Sequence, residues 1–139
     1  MGSQVNPCIM FGGNARQALE FYREVFGGEL QVATAADFGA PSPGGADKVM
    51  HARLDTAAGY TLMGWDHPDD RPGHPPYRPG NNVAVFLDGD TDAADELRGY
   101  FDKLSVGGTI TLPLEKQVWG DEAGSLVDRF GIHWMFNIA

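Results

Sequence analysis

CIMFGGNARQALEFYREVFGGEL (residues 8–30) and VAVFLDGDTDAADELRGYFDKLSVGGTI (residues 83–110) follow one plan. Each opens with a short apolar run that reads as a strand. Each continues through a polar turn into a helical pattern, and each closes that pattern on a Gly-Gly pair, Gly27–Gly28 and Gly107–Gly108. Identity between the two is modest, but the order of elements is the same. An internal duplication of this kind decides how the whole chain is divided.

The first helix reads from its apolar stripe of Ala15, Ala18, Leu19, Tyr22, Val25 and Phe26. Asn14, with Gln17 three residues on, suggests a capping box, and Gly27 suits the C-terminal stop. The second helix has Ala94, Leu97, Phe101 and Leu104 on its stripe, with Asp90 or Thr91 as cap. The acids Asp92, Asp95 and Glu96 in its first turn suit the helix dipole. Strands follow each helix, at 29–36, 49–55 and 60–65 in the first half and at 109–113, 124–128 and 132–138 in the second. The last two strands of each half join through tight turns. Asp55 and Gly59 frame one, and Asp128 and Gly131 frame the other.

Each half therefore reads β-α-β-β-β. Between them lies DHPDDRPGHPPYRPGNN (66–82), with five prolines, which reads as a surface loop. The expected division is module 1 over about 4–65, a linker at 66–81 and module 2 over about 82–139. A second loop, DFGAPSPGGAD (37–47), is long enough to cover a site.

With 139 residues the chain fits one such domain and is expected to bury roughly 68–70% of its unfolded surface. Net charge is −9, with 10 basic residues against 19 acidic. Nucleic-acid binding needs cations at phosphates, so neither nucleic acid nor an anionic membrane is expected as a partner. The single cysteine, Cys8, excludes an intrachain disulfide and suits a reducing compartment. No run reaches the ~20 apolar residues of a membrane span. The first residues, MGSQVNPCIMFGG, have neither the basic stretch nor the apolar core of a signal peptide. The expected location is cytoplasmic.

Two βαβββ halves joined by a linker resemble the vicinal oxygen chelate superfamily, which includes glyoxalase I, bleomycin-resistance proteins and extradiol dioxygenases. The stretches IMFGGNARQALEFYREVFGGEL, VMHARL, GNNVAVFL and GGTITLPLEKQVWGDEAGSLVDRFGIHWMFNI are similar to its PhnB-like branch. That branch carries the domain label of a 3-demethylubiquinone methyltransferase. The resemblance implies an α+β fold of two βαβββ modules forming a glyoxalase-like half-barrel pair. It also implies a homodimer, with modules exchanged between subunits as its bolder form. One fold hosts many chemistries, so the label does not fix the reaction.

The resemblance also implies that the last strand lines a cavity. A period of two puts Ile132, Trp134, Phe136 and Ile138 on one face, under the second helix. His133, Met135 and Asn137 then look into the cavity, with Trp119, Gly120 and Asp121 before the hairpin at its mouth. Metal-binding relatives place one ligand on the first and one on the last strand of each half. Carried over, these positions fall at Pro7, Met63, Asn82 and Met135, and a slip of one residue offers Asn6 or Gly64. None is a histidine or a carboxylate, and a thioether suits hard divalent ions poorly. No metal or other cofactor is therefore expected.

His51 and His133 remain as candidates. Each reads either as a satisfied half-buried imidazole or as a ligand-binding or proton-transferring group. His67 and His74 read as solvated loop histidines. Asp128 reads as a turn cap matched with Asp55, Trp134 as core, and Cys8 as a buried inert thiol. There is no GxSxG, no Walker loop and no dinucleotide fingerprint. The functional expectation is a small-molecule binding protein with an apolar cavity lined by Phe11, Met63, Trp65, Trp119 and Met135. His51, Asn82, Asp121 and His133 supply its polar contacts. The alternative is a metal-dependent lyase, isomerase or dioxygenase that uses unusual ligands such as His51 and His133.

Overall fold

In the computed structural model, residues 2–39, 45–68 and 72–139 are described. Residues 40–44 of the loop expected to cover a site, and 69–71 of the linker, lie outside them. The chain forms two compact units that divide between Arg78 and Pro79. The first holds β1 (Cys8–Phe11), α1 (Ala15–Phe26), β2 (Glu29–Thr34), β3 (Val49–Asp55) and β4 (Thr61–Asp66). The second holds β5 (Val85–Gly89), α2 (Ala94–Ser105), β6 (Thr109–Lys116), β7 (Glu122–Val127) and β8 (His133–Ile138). Sheet order is β1-β4-β3-β2 in one and β5-β8-β7-β6 in the other. The first strand of each sheet pairs in parallel with the last, and the remaining pairs are antiparallel. This is the βαβββ plan twice over. Among the described residues, no helix is long and apolar enough to cross a membrane.

In each unit the helix covers one face of its sheet. Leu19 and Tyr22 of α1 are fully buried with Leu54 of β3. Leu97, Phe101 and Leu104 of α2 are buried with Leu126, Trp134 and Phe136, and the rings of Phe101 and Phe136 meet edge-on at 5.3 Å. Each such side chain contributes roughly 1.5–3 kcal/mol. The expected alternation along β8 holds. Trp134, Phe136 and Ile138 are buried beneath α2, while His133, Met135 and Asn137 lie on the other face.

The start of α1 departs from expectation. Asn14 stands at the N-cap, but its side chain makes no capping bond. Asp66, at the end of β4, does the work from 51 residues away. Its Oδ1 accepts the Ala15 N–H and its Oδ2 accepts the Val49 N–H, both at 2.9 Å. The buried carboxylate satisfies an orphan helix donor and a strand donor together.

The Gly-Gly pairs split two tasks. Gly27 and Gly107 turn the chain with φ of 73° and 78°. Gly28 and Gly108 pass against the hairpins, where an added Cβ would lie 2.0 Å from the Asp55 carbonyl oxygen and 2.3 Å from that of Val127.

Two other sequence readings shift by one residue. The hairpin equivalent of Asp128 is Thr56, not Asp55. Thr56 N–H donates to Tyr60 O at 2.8 Å as Asp128 N–H donates to Ile132 O at 2.9 Å, and Gly59 and Gly131 close the turns alike. In β3, Ala33 pairs with His51 but Thr34 pairs with Val49, so Met50 bulges out. Val49 thereby joins Ala52 and Leu54 in the core, whereas strict alternation along the strand would put it on the face of His51.

Candidate functional site

The face of each sheet opposite its helix carries the chemistry. In the second unit this open face bears a cleft of about 340 Å³ beside the start of β8. His133 and Met135 of β8, Ser125 of β7, Thr111 of β6, and Asn82 and Val83 ahead of β5 line it. Sheet register explains the gathering. Ser125 lies opposite Met135 and His133 opposite Val127, and Phe86 runs beside Met135 on the other flank. Met135 and Phe86 are 47% and 54% exposed, which is unusual for large apolar side chains in mid-sheet.

Thr111 and Ser125 were not singled out in the sequence. Their hydroxyl oxygens lie 2.6 Å apart across the β6–β7 pair. One O–H donates to the other, so the pair keeps one O–H and several lone pairs for a third group. Alternation along β7 signals the facing of Ser125. Thr111 carries no such signal, because the pairing of β6 shifts register between Ile110 and Leu112.

Trp119 and Asp121 are not brought into this cleft. Trp119 is 60% exposed in the β6–β7 turn, and Asp121 Oδ2 accepts from Asn137 Nδ2 at 3.0 Å. Asn137 is four residues along β8 from His133, about 13 Å at a strand rise of ~3.3 Å. Gln117 pins this turn by donating from Nε2 to the carbonyls of Glu115 and Ala123. Asp128 is the expected turn cap. Its Oδ1 accepts from the N–H groups of Phe130 and Ile132.

In the first unit the open face holds Met63 and Trp65, each half-buried, with Arg53 opposite Met63 and an exposed His51 nearby on β3. Arg53 Nε meets Asp55 Oδ2 at 3.0 Å, and the Thr61 hydroxyl donates to Asp55 Oδ1 at 3.0 Å. The Arg53 guanidinium first, then the Thr61 hydroxyl, hold the Asp55 carboxyl below its usual range, and Asp55 raises Arg53 in return.

Three expectations are corrected here. Phe11 is not a cavity wall. It is 1% exposed, because its position beside Asp66 in the β1–β4 register faces the helix side. Cys8 is exposed, not buried, since it opens an edge strand beside Met63. What burial it has pushes its thiol pKa up, which keeps the poorly nucleophilic protonated form. His67 is only 4% exposed. Its Nε2 donates to Pro75 O at 2.8 Å, and the Lys48 ammonium donates to its carbonyl at 2.6 Å. The rings of His74 and Tyr77 stand edge-on to it at 5.1 and 5.9 Å, and Trp65 meets His74 at 6.0 Å. The proline-rich stretch is thus fastened down at its described ends.

The positions that carry metal in glyoxalase-type centres hold a donor set that does not fit a hard divalent ion. Met63 and Met135 occupy equivalent places, three residues beyond the matched turn residues Tyr60 and Ile132. Both present thioethers. Pro7 offers only its carbonyl, which already accepts the Met63 N–H at 3.0 Å, and Asn82 offers a neutral amide. Among the described residues, no group of three or more His, Cys, Asp or Glu side chains converges.

A family model described as 3-demethylubiquinone-9 3-methyltransferase matches residues 3–136. The crystal structure of protein PA1353 from Pseudomonas aeruginosa is 33% identical. It superposes with a TM-score of 0.77, covering 99% of this chain and 98% of that one. A Bacillus cereus PhnB protein, described as a putative 3-demethylubiquinone-9 3-methyltransferase, is 24% identical with a TM-score of 0.72, over 99% of this chain and 100% of its own. A glyoxylase/bleomycin resistance protein/dioxygenase domain from Frankia shares the fold at 14% identity and a TM-score of 0.60, over 100% and 93% of the two chains. The chain belongs to the PhnB-like 3-demethylubiquinone-9 3-methyltransferase family, on the fold of the vicinal oxygen chelate superfamily.

Proposed function

We propose that this protein binds a small molecule in the cleft of its second unit and does so without a metal centre. The observation that carries the reading is the cleft itself, with Met135 and Val83 as apolar wall and Thr111, Ser125 and His133 as converging polar groups. At about 340 Å³ it falls at the small end of ligand sites, which run from about 300 to 1,000 Å³. The methyl transfer named by the family description fits less well. A sulfonium methyl donor is a cation, and among the described residues the cleft lining includes no carboxylate. We also propose that the protein works as a cytoplasmic homodimer, with exchange of modules between subunits. Sedimentation at micromolar concentration that gives only monomer would reject that part.

The test of binding is a thermal-shift screen of small molecules on the wild type and on Met135→Glu, which puts a charge into the cleft. Stabilisers that act on the wild type alone support the reading, and a screen with no stabiliser rejects it. The competing reading, a metal-dependent lyase, isomerase or dioxygenase, draws on His133 in the cleft and the exposed His51. Its signature is near-stoichiometric Zn, Ni, Mn or Fe retained after desalting and lost in His51→Ala or His133→Ala, read by elemental mass spectrometry.

A further inference from the structure

We infer that the molecule taken by the second unit's cleft is uncharged and carries a head group that both donates and accepts hydrogen bonds, such as an amide or a phenol. The inference rests on the binding reading above and narrows it.

The first support is the lining. Among the described residues it has no Asp, Glu, Lys or Arg, in a chain of which 21% is charged. An ion moved out of water without a partner forfeits several kcal/mol, and a carboxylate, phosphate or ammonium head would meet no Asp, Glu, Lys or Arg of opposite charge among the described lining residues to offset that loss.

The second support is the comparison of the two duplicated units. Equivalent positions follow from the matched hairpins. Arg53 lies opposite Met63 as Ser125 lies opposite Met135, and Asp55 lies opposite Thr61 as Val127 lies opposite His133. The first unit fills these places with the Arg53–Asp55–Thr61 ion-pair network. The second has Ser125, Val127 and His133, and the cleft stands where the charges would be. One backbone plan thus hosts an exposed ion-paired cluster in one unit and a cleft lined by Ser125 and His133 in the other.

The third support is the type of the polar groups. A hydroxyl pair sharing one bond and an Asn amide each donate and accept, and an imidazole adds two ring nitrogens. Carboxylates only accept and ammonium groups only donate, so each would leave part of this set unmatched. Amides and phenols match both roles.

The test uses three probes with one ring, namely benzamide, benzoate and benzylamine. They are titrated into the full chain near pH 8 and followed by the amide NMR signals of Ser125, His133 and Met135 and the side-chain amide of Asn82. Benzamide is expected to shift these signals, with the two ions at least tenfold weaker. Ser125→Ala and Thr111→Val, each with an otherwise unchanged spectrum, are expected to weaken benzamide about fivefold, the value of one neutral hydrogen bond. Benzoate or benzylamine binding as tightly as benzamide overturns the inference and leaves the binding reading standing. No shift at these residues with any probe overturns both.

Discussion

Trp134 donates its indole N–H to Oδ2 of Asp128 at 2.9 Å, while Oδ1 of the same buried carboxylate holds the β7–β8 turn. One aspartate therefore fixes both the turn and the largest fully buried side chain of the second unit. Trp134 is also among the residues that line the cleft. Loss of the carboxylate in Asp128→Ala leaves a buried indole N–H and two turn donors unmet. A cost of about 3 kcal/mol is expected, given roughly 1–3 kcal/mol per unsatisfied group. Urea unfolding measures it, and a cost below about 1 kcal/mol would show that water replaces the carboxylate.

Asp66 and Asn14 make a paired test at the start of α1. Asp66→Ala is expected to cost about 2–4 kcal/mol and to speed hydrogen exchange at Ala15 and Val49. Asn14→Ala is expected to cost less than the usual ~1 kcal/mol of a cap, because its side chain makes no capping bond. The reverse ranking would mean that the helix is capped locally.

Glycine substitutions separate close approach from helix propensity. Gly28→Ala forces a Cβ into the Asp55 carbonyl at a φ of 108°. It is expected to cost more than about 3 kcal/mol or to abolish folding. Gly99 lies inside α2 with nothing within 4 Å of an added Cβ. Gly99→Ala is expected to stabilise by about 0.5–1 kcal/mol. Thermal melts of the two variants should therefore move in opposite directions.

Arg98 bridges α2 to the edge of β7, with Nη2 2.7 Å from Glu122 Oε1. Its hydrogen bond holds the Glu122 carboxyl below the ordinary value of 4.5. A lowered folded-state pKa means that this stabilisation is complete above the ordinary value and is lost as pH falls through the folded one. The pair is exposed at Arg98, so solvent and salt screen it and its contribution is small. Arg98→Gln is expected to lower stability slightly at pH 7 and not at all near pH 3, by urea unfolding at low salt. An equal loss at both values would make the contribution packing, not charge.

The division between what was legible in the chain and what was not follows the range of the forces involved. Helix stripes, Gly27 and Gly107 as stops, the alternation along β8 and the repeat itself are written locally. Periods of 3.6 and 2 and the positive φ at glycine act within a few residues. The missing His and carboxylate at the carried-over ligand positions were equally plain. Other features belong to the tertiary structure alone. Asp66 reaches Ala15 across 51 residues, His67 is buried against Pro75, and Thr56 takes the turn place that Asp55 had been given. The pairing of Thr111 with Ser125 depends on a register shift in β6, and one displaced residue in a strand reassigns every side chain beyond it to the other face. Sequence periodicity says which residues alternate. Only the paired sheet decides which of them meet, and the cleft lies where they do.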